Sequence, residues 1–212
     1  MLSYELRNFF QRIGKTPEDS LITKAYYYLS ASKIEGRDDK SGGDETARCD
    51  KKTETEHLTE FASANNLWFD NIAFYSYLAE GAEQKVFFNE AQAIVTKLND
   101  AIFYENWTDY LISLLIHNAL FEATRYDLIG FVKINQVLYA AVNQNYIEPD
   151  EPTNLALVQK FMTANGFVVK KNNDYFSHEL GLIVEDLHEE NVLTQKNTLF
   201  FIDTVNYLIN RK

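Results

Sequence analysis

A single cysteine, Cys49, occurs in the 212 residues. That excludes an internal disulfide and any thiolate metal cluster. Histidine is scarce too: there are four, none at His-Glu-x-x-His spacing. A metal hydrolase built on Asp186 and His188 is therefore the weakest functional class. No stretch reaches the ~18 uninterrupted apolar residues that a spanning helix needs. The opening MLSYELRNFFQRIGK lacks a charged head followed by an apolar run, so no signal peptide is expected. Basic charge is in deficit, with 20 Lys and Arg against 31 Asp and Glu and a net charge of −11. Such a surface repels phosphate backbones and anionic lipid. Neither nucleic acid nor membrane is an expected partner, and the cytoplasm is the expected compartment.

What the chain does have is apolar and aromatic mass. Hydrophobic residues make up 46%, with 13 Tyr, 15 Phe and 2 Trp, enough to bury a core. Ser3 to Ile13 carries Leu6, Phe9, Phe10 and Ile13 at helical spacing. Thr16-Pro17-Glu18-Asp19 reads as the start of a second helix running to about Lys33. Residues 35–52 are rich in glycine and charge and read as a flexible linker, a solvated spacer rather than a binding site. The expected organisation is a helical appendage over 1–34, that linker, and a main domain over 53–212.

Within the main domain, Thr53-Glu54-Thr55-Glu56 resembles a capping box that starts a short helix. The period then changes. Phe74–Leu78, Lys85–Phe88 and Ala93–Leu98 read as strands, Trp107–Phe121 as a long helix, and Tyr126–Val132 and Gln136–Val142 as two more strands. A helix over Asn154–Asn165 follows, closed by Gly166. Short strands then lead to a half-helical end. The class is α+β.

The densest polar group is Glu185-Asp186-Leu187-His188-Glu189-Glu190-Asn191, between two apolar strands. A third strand, Leu199 to Ile202, ends on Asp203. Asp186, Asn191 and Asp203 can converge on one point. Their oxygens are hard ligands that suit Mg²⁺, with phosphate oxygens and water completing the octahedron. Asp186 would then be free to accept a proton from an attacking hydroxyl. The bland alternative is an acidic turn capped by Asn between hairpin strands.

This DLHxxNVL…ID pattern is similar to the catalytic and metal segments of protein-kinase-like phosphotransferases, in the DLHxxN form of aminoglycoside and choline kinase relatives. The resemblance implies that Asp186 is the base and that Asn191 and Asp203 hold Mg²⁺. Upstream, Gly81 and Val86 fall where the glycine-rich loop and its valine belong, and Lys97 where the third-strand lysine belongs. Gln144 to Ile147 take the place of the hinge that holds adenine. The runs EHLTEFASANNLWFDNIAFYSYLAEGAEQKVFF, IHNALFEATRYDLIGFV and LGLIVEDLHEENVLTQKNTLFFIDTV resemble, more specifically, the kinase-like domain of polyvalent proteins, large bacterial proteins of phages and conjugative elements. That likeness covers about Thr53 to Asn206.

What the resemblance implies is a minimal two-lobe kinase-like fold. A five-stranded antiparallel N-lobe with its long helix would span about 70–147, and a truncated C-lobe about 148–212. ATP would lie between them, its γ-phosphate passing to a hydroxyl of a protein or small-molecule acceptor. The chain departs from the pattern in three places. Ala79 and Gln84 stand at two of the three glycine positions. Asp109 is the only acid on the long helix, where a Glu pairs with the lysine in active protein kinases. Nine residues follow Asp203, so a peptide-docking surface would have to come from the N-terminal helices or a partner chain. A catalytically silent nucleotide sensor or interaction module is the second reading. Taken without the resemblance, Lys97 is a surface lysine, Asp109 a helix N-terminal acid, and His117 a packing histidine.

Overall fold

Over residues 76–164 the expected order of strands and helices is present among the described residues. The computed structural model describes residues 2–35, 50–70, 76–80 and 84–209. Among the described residues there are five α-helices and eleven strands. Two compact units result, one chiefly Glu18–Leu111 with Asp127–Asn143, the other Ser3–Pro17, Ile112–Tyr126 and Gln144–Lys212. Cys49, Gly81 and most of the expected linker lie outside the described residues.

In the first unit, strands β1 (Ser76–Glu80), β2 (Gln84–Asn89), β3 (Ile94–Asn99), β4 (Asp127–Ile134) and β5 (Val137–Asn145) form one sheet in the order β1-β2-β3-β5-β4. The β1–β2, β2–β3 and β4–β5 pairs are antiparallel. β3 is the middle strand, and Val95 through Asn99 are all buried. The Thr96 hydroxyl donates to Asn143 Oδ1 at 2.6 Å, tying β3 to β5. Helices α2 (Leu21–Glu35) and α3 (Lys51–Ala64) pack together, with Tyr28 against Phe61 at 5.1 Å between ring centroids. The long helix α4 (Trp107–Leu120) lies between β3 and β4 in sequence.

Both N-terminal cap expectations need correction. α2 begins at Leu21 rather than Pro17, because the Ser20 hydroxyl accepts the Thr23 amide. α3 begins at Lys51, capped by Asp50, whose carboxylate accepts the Thr53 amide at 2.8 Å. That amide holds the Asp50 carboxyl below the ordinary carboxylate range. The cap's contribution is therefore complete above ordinary carboxylate pH and fades as pH falls through the lowered value. Glu54, read as part of a capping box, is 1% exposed and serves a different helix. It accepts the Thr108 amide at 2.9 Å and the Thr108 hydroxyl at 2.7 Å, at the start of α4. Trp107 Nε1 donates to Thr55 Oγ1, and Lys51 Nζ to the Ala101 carbonyl. Helix α3 thus fixes where α4 starts.

Gly130 is needed for the close approach of residues 67–69 to β4. Phe131 donates to the Leu67 carbonyl and Phe69 to the Phe131 carbonyl, each at 2.8 Å. A Cβ at position 130 would stand 2.3 Å from the Leu67 carbonyl oxygen, at a φ of +151°. Gly130→Ala is therefore expected to lower stability by about 1–3 kcal/mol, read from denaturant unfolding. An unchanged midpoint would contradict this.

The second unit holds α1 (Tyr4–Arg12), the C-terminal part of α4, α5 (Leu155–Ala164) and two sheets. α1 buries Leu6, Phe9 and Phe10 as its spacing predicts. Lys15 Nζ caps the end of α4 through the Ala119 carbonyl at 2.8 Å. Strands β6 (Val168–Lys171), β7 (Asp174–Ser177), β8 (Leu182–Glu185) and β11 (Val205–Leu208) form a sheet in the order β11-β8-β7-β6, while β9 (Val192–Gln195) and β10 (Thr198–Phe201) form a hairpin. The half-helical ending is overturned over Val205–Leu208, which pairs with β8 from Val205–Glu185 to Leu208–Leu182. β8 offers a free edge, and pairing satisfies backbone groups that a helix of this length would leave open. Strand β7 is not among the expected strands. It is reached through Asn172-Asn173, both at positive φ, a hairpin turn that Asn tolerates.

Candidate functional site

β8 alternates, with Leu182 and Val184 buried and Ile183 and Glu185 half-buried. At Asp186 the chain leaves the sheet at φ +68°, a conformation that short polar side chains accept more readily than others. Asp174 of β7 holds it there, its Oδ1 accepting the Asp186 amide at 3.2 Å. Leu187 is fully buried and anchors the loop. A turn follows, in which the His188 carbonyl accepts the amides of Asn191 at 3.0 Å and Val192 at 2.9 Å. The hairpin β9–β10 then returns the chain, pairing Phe201 with Val192. Asp203 therefore arrives beside Asn191.

The three polar residues of the DLHxxN…D pattern are brought together. Asn191 Nδ2 donates to Asp186 Oδ2 at 2.8 Å and to the Asp186 carbonyl at 3.0 Å. The Asn191 carbonyl accepts the amides of Ile202 at 2.9 Å and Asp203 at 3.3 Å. Nδ2 also lies 3.1 Å from His188 Nε2, and Asn191 Oδ1 remains the side chain's acceptor. His188 completes the loop. Its Nδ1 accepts the Glu190 amide at 3.2 Å, so in the neutral ring Nε2 carries the proton and faces Asp186 Oδ1 at 3.2 Å. His188 thus makes its contacts within the loop itself. Asp186 is exposed, while Asn191 and Asp203 are half-buried.

Tyr126 also reaches this cluster, though nothing in the sequence marked it. Its hydroxyl lies 2.8 Å from the Ile202 carbonyl and 3.4 Å from Asp203 Oδ1. Asp174 was likewise unmarked. Both contacts join residues remote in sequence, and no local pattern encodes them.

Lys97, Val86 and Asp109 lie in the first unit and Gln144 in the second. Lys97 on β3 is 5% exposed, so the surface-lysine reading is excluded. Val86 of β2 is its cross-strand partner. Asp109 stands in the first turn of α4, where its amide is accepted by Asn106 Oδ1 at 2.9 Å. Gln144, at the start of the expected hinge, is still within β5 and is buried, its Nε2 donating to the Thr124 carbonyl at 2.6 Å.

The donor set fits a hard divalent cation. Asn191 keeps an amide oxygen not committed to Asp186, and Asp203, whose backbone amide is bound by the Asn191 carbonyl, supplies a half-buried carboxylate. Among the described residues no group of three His, Cys, Asp or Glu side chains could hold a metal by itself. A cation here would take the rest of its shell from phosphate and water. No helix among the described residues is long and apolar enough to cross a membrane.

An α+β chain with this strand order and an Asp–Asn–Asp cluster at the end of a hairpin is of the kinase-like class. The chain belongs to the family described as Serine/Threonine/Tyrosine Kinase found in polyvalent proteins, whose model matches residues 51–210. Comparison with curated proteins returned no match.

Proposed function

We propose that this chain is an ATP- and Mg²⁺-dependent phosphotransferase that moves the γ-phosphate of ATP to a hydroxyl of a protein or small-molecule acceptor. The observation that carries the reading is Asn191, which grips Asp186 through its side chain and receives Asp203 through its carbonyl. Three residues far apart in function are thereby held in one small frame.

Asp186 orients the acceptor hydroxyl and takes its proton as the new oxygen–phosphorus bond forms and the bond to the leaving ADP breaks. Its two carboxylate oxygens are held by Asn191 Nδ2 and by His188 Nε2, which fixes the direction in which the base presents a lone pair. Asn191 Oδ1 and the Asp203 carboxylate would hold Mg²⁺, which supplies charge neutralisation to the phosphates. Lys97 is the residue for the phosphate oxygens, and its burial makes its charge effective there. Asp109 is its proposed helix partner, Val86 and Gly81 belong to the nucleotide-covering strand and turn, and residues 144–147 to the adenine side.

The reading is tested by thermal unfolding with ATP, with and without Mg²⁺. At about 100 times Kd a ligand adds about 2.7 kcal/mol, or roughly 5–10 °C for a chain of this size. That shift should need Mg²⁺ and should vanish in Asp203→Ala. Phosphate release or transfer alongside it marks catalysis, a shift alone marks a sensor, and no shift with either protein sinks the proposal.

A further inference from the structure

The buried histidine of α4 has no part in the chemistry above, yet it lies at the centre of a polar network that ends on the segment carrying Asp203. His117 is fully buried. Its Nε2 is 2.9 Å from the Thr124 carbonyl, which can only accept, so Nε2 bears a proton. Its Nδ1 is 2.8 Å from Thr204 Oγ1. That hydroxyl accepts Asn206 Nδ2 at 2.9 Å, which leaves its own proton for Nδ1. Thr204 follows Asp203 directly in the chain and is itself buried.

Further ties run to residues 201–206. Thr124 Oγ1 donates to the Phe201 carbonyl at 2.6 Å. The Tyr126 hydroxyl meets the Ile202 carbonyl, and its ring lies 4.5 Å from the His117 ring. Ser113 of α4 receives the Asn206 amide on its hydroxyl at 3.0 Å. The Asp203 side chain therefore projects from a stretch whose neighbours on both sides are fastened to α4 and to the turn after it. Tyr126 acts on the residue before the carboxylate and on the carboxylate itself, and His117 on the residue after it.

We infer that His117 is a positioning residue for the Asp203 carboxylate and acts through Thr204. The inference rests on the reading of Asp203 as a metal ligand for its functional consequence, but not for the positioning itself. Two substitutions in the full chain separate the two bonds of the ring. His117→Asn places an amide oxygen near Nδ1 and can still accept from Thr204. His117→Gln places an amide nitrogen near Nε2 and can still donate to Thr124. Both lose the ring and its packing alike.

Hydrogen exchange of the Ile202 and Asp203 amides reads the result. His117→Gln should speed exchange about tenfold, the effect of one lost bond on local opening, while His117→Asn should stay near wild type. Equal effects, no effect, or the reverse order overturns the inference. Where a histidine variant fails to fold, Thr204→Val and Thr204→Ser decide it from the other end. Valine should speed exchange and serine should not; unaltered exchange in the valine variant overturns the inference too. The same proteins are then titrated with Mg²⁺ in the presence of ATP, following thermal unfolding. His117→Gln and Thr204→Val should need about tenfold more Mg²⁺ for half of the stabilisation. A wild-type chain that shows no Mg²⁺-dependent stabilisation overturns the metal role of Asp203, while the exchange comparison still decides the positioning.

Discussion

Replacing Asp186 by Asn should lower the rate of phosphate transfer or release by about 10²–10⁴-fold while leaving the affinity for Mg²⁺ and ATP close to wild type. The substitution removes the proton acceptor but keeps the side chain's shape. One new clash is expected, because either the amide nitrogen faces Asn191 Nδ2, which now donates to Asp186 Oδ2 at 2.8 Å, or it faces the Nε2 of His188 at 3.2 Å from Oδ1. Asp186 is exposed with a side chain at 54%, so the cost in stability should stay within about 1 kcal/mol. The informative comparison is with Asp203→Ala. Loss of the base should reduce kcat alone, whereas loss of the metal carboxylate should remove the Mg²⁺-dependent thermal shift as well. Steady-state phosphate release and nucleotide titration on both variants supply the data. A rate for Asp186→Asn within twofold of wild type would exclude Asp186 as the base.

The parts legible in the sequence were those whose information is local. The strand–strand–strand–helix–strand–strand order follows from apolar periodicity and turn residues, and each element formed within a few residues of its expected place. The loop from Asp186 to Asn191 is equally local: its amide and carboxylate meet across one turn. What could not be read was set by partners remote in the chain. Val205–Leu208 is too short to declare a period, and its strand form comes from the free edge of β8. Asp174 holds the Asp186 amide from a neighbouring strand, and Tyr126 reaches Asp203 from the end of the segment before β4. His117 was expected to be a satisfied packing histidine, and it is satisfied at both nitrogens. Only the folded chain shows that one of its partners adjoins Asp203. Thr53-Glu54-Thr55-Glu56 misled for the same reason: its pattern fits a capping box, but Glu54 is turned inward to another helix.

That inward turn gives the largest stability effect expected in the first unit. Glu54→Ala should cost about 2–4 kcal/mol in denaturant unfolding. Two hydrogen bonds to a carboxylate are lost at once, and the Thr108 amide becomes a half-buried, uncapped donor in the first turn of α4. The carboxylate also faces the positive end of that helix, which strengthens the interaction over a neutral pair. Glu54→Gln should cost about half as much, because one acceptor oxygen remains while the amide nitrogen meets the Thr108 groups as a second donor. Thr108→Val in the Glu54→Ala background should add little, since the partner of the hydroxyl is already gone. A loss below about 0.5 kcal/mol for Glu54→Ala would mean that water replaces the carboxylate at the end of α4. The functional corollary is specific to Asp109, which lies one residue beyond Thr108 in the same turn. If Asp109 serves Lys97 as proposed, Glu54→Gln should weaken ATP binding at temperatures where the protein is still folded. Asp109→Asn should then add no further loss on top of it.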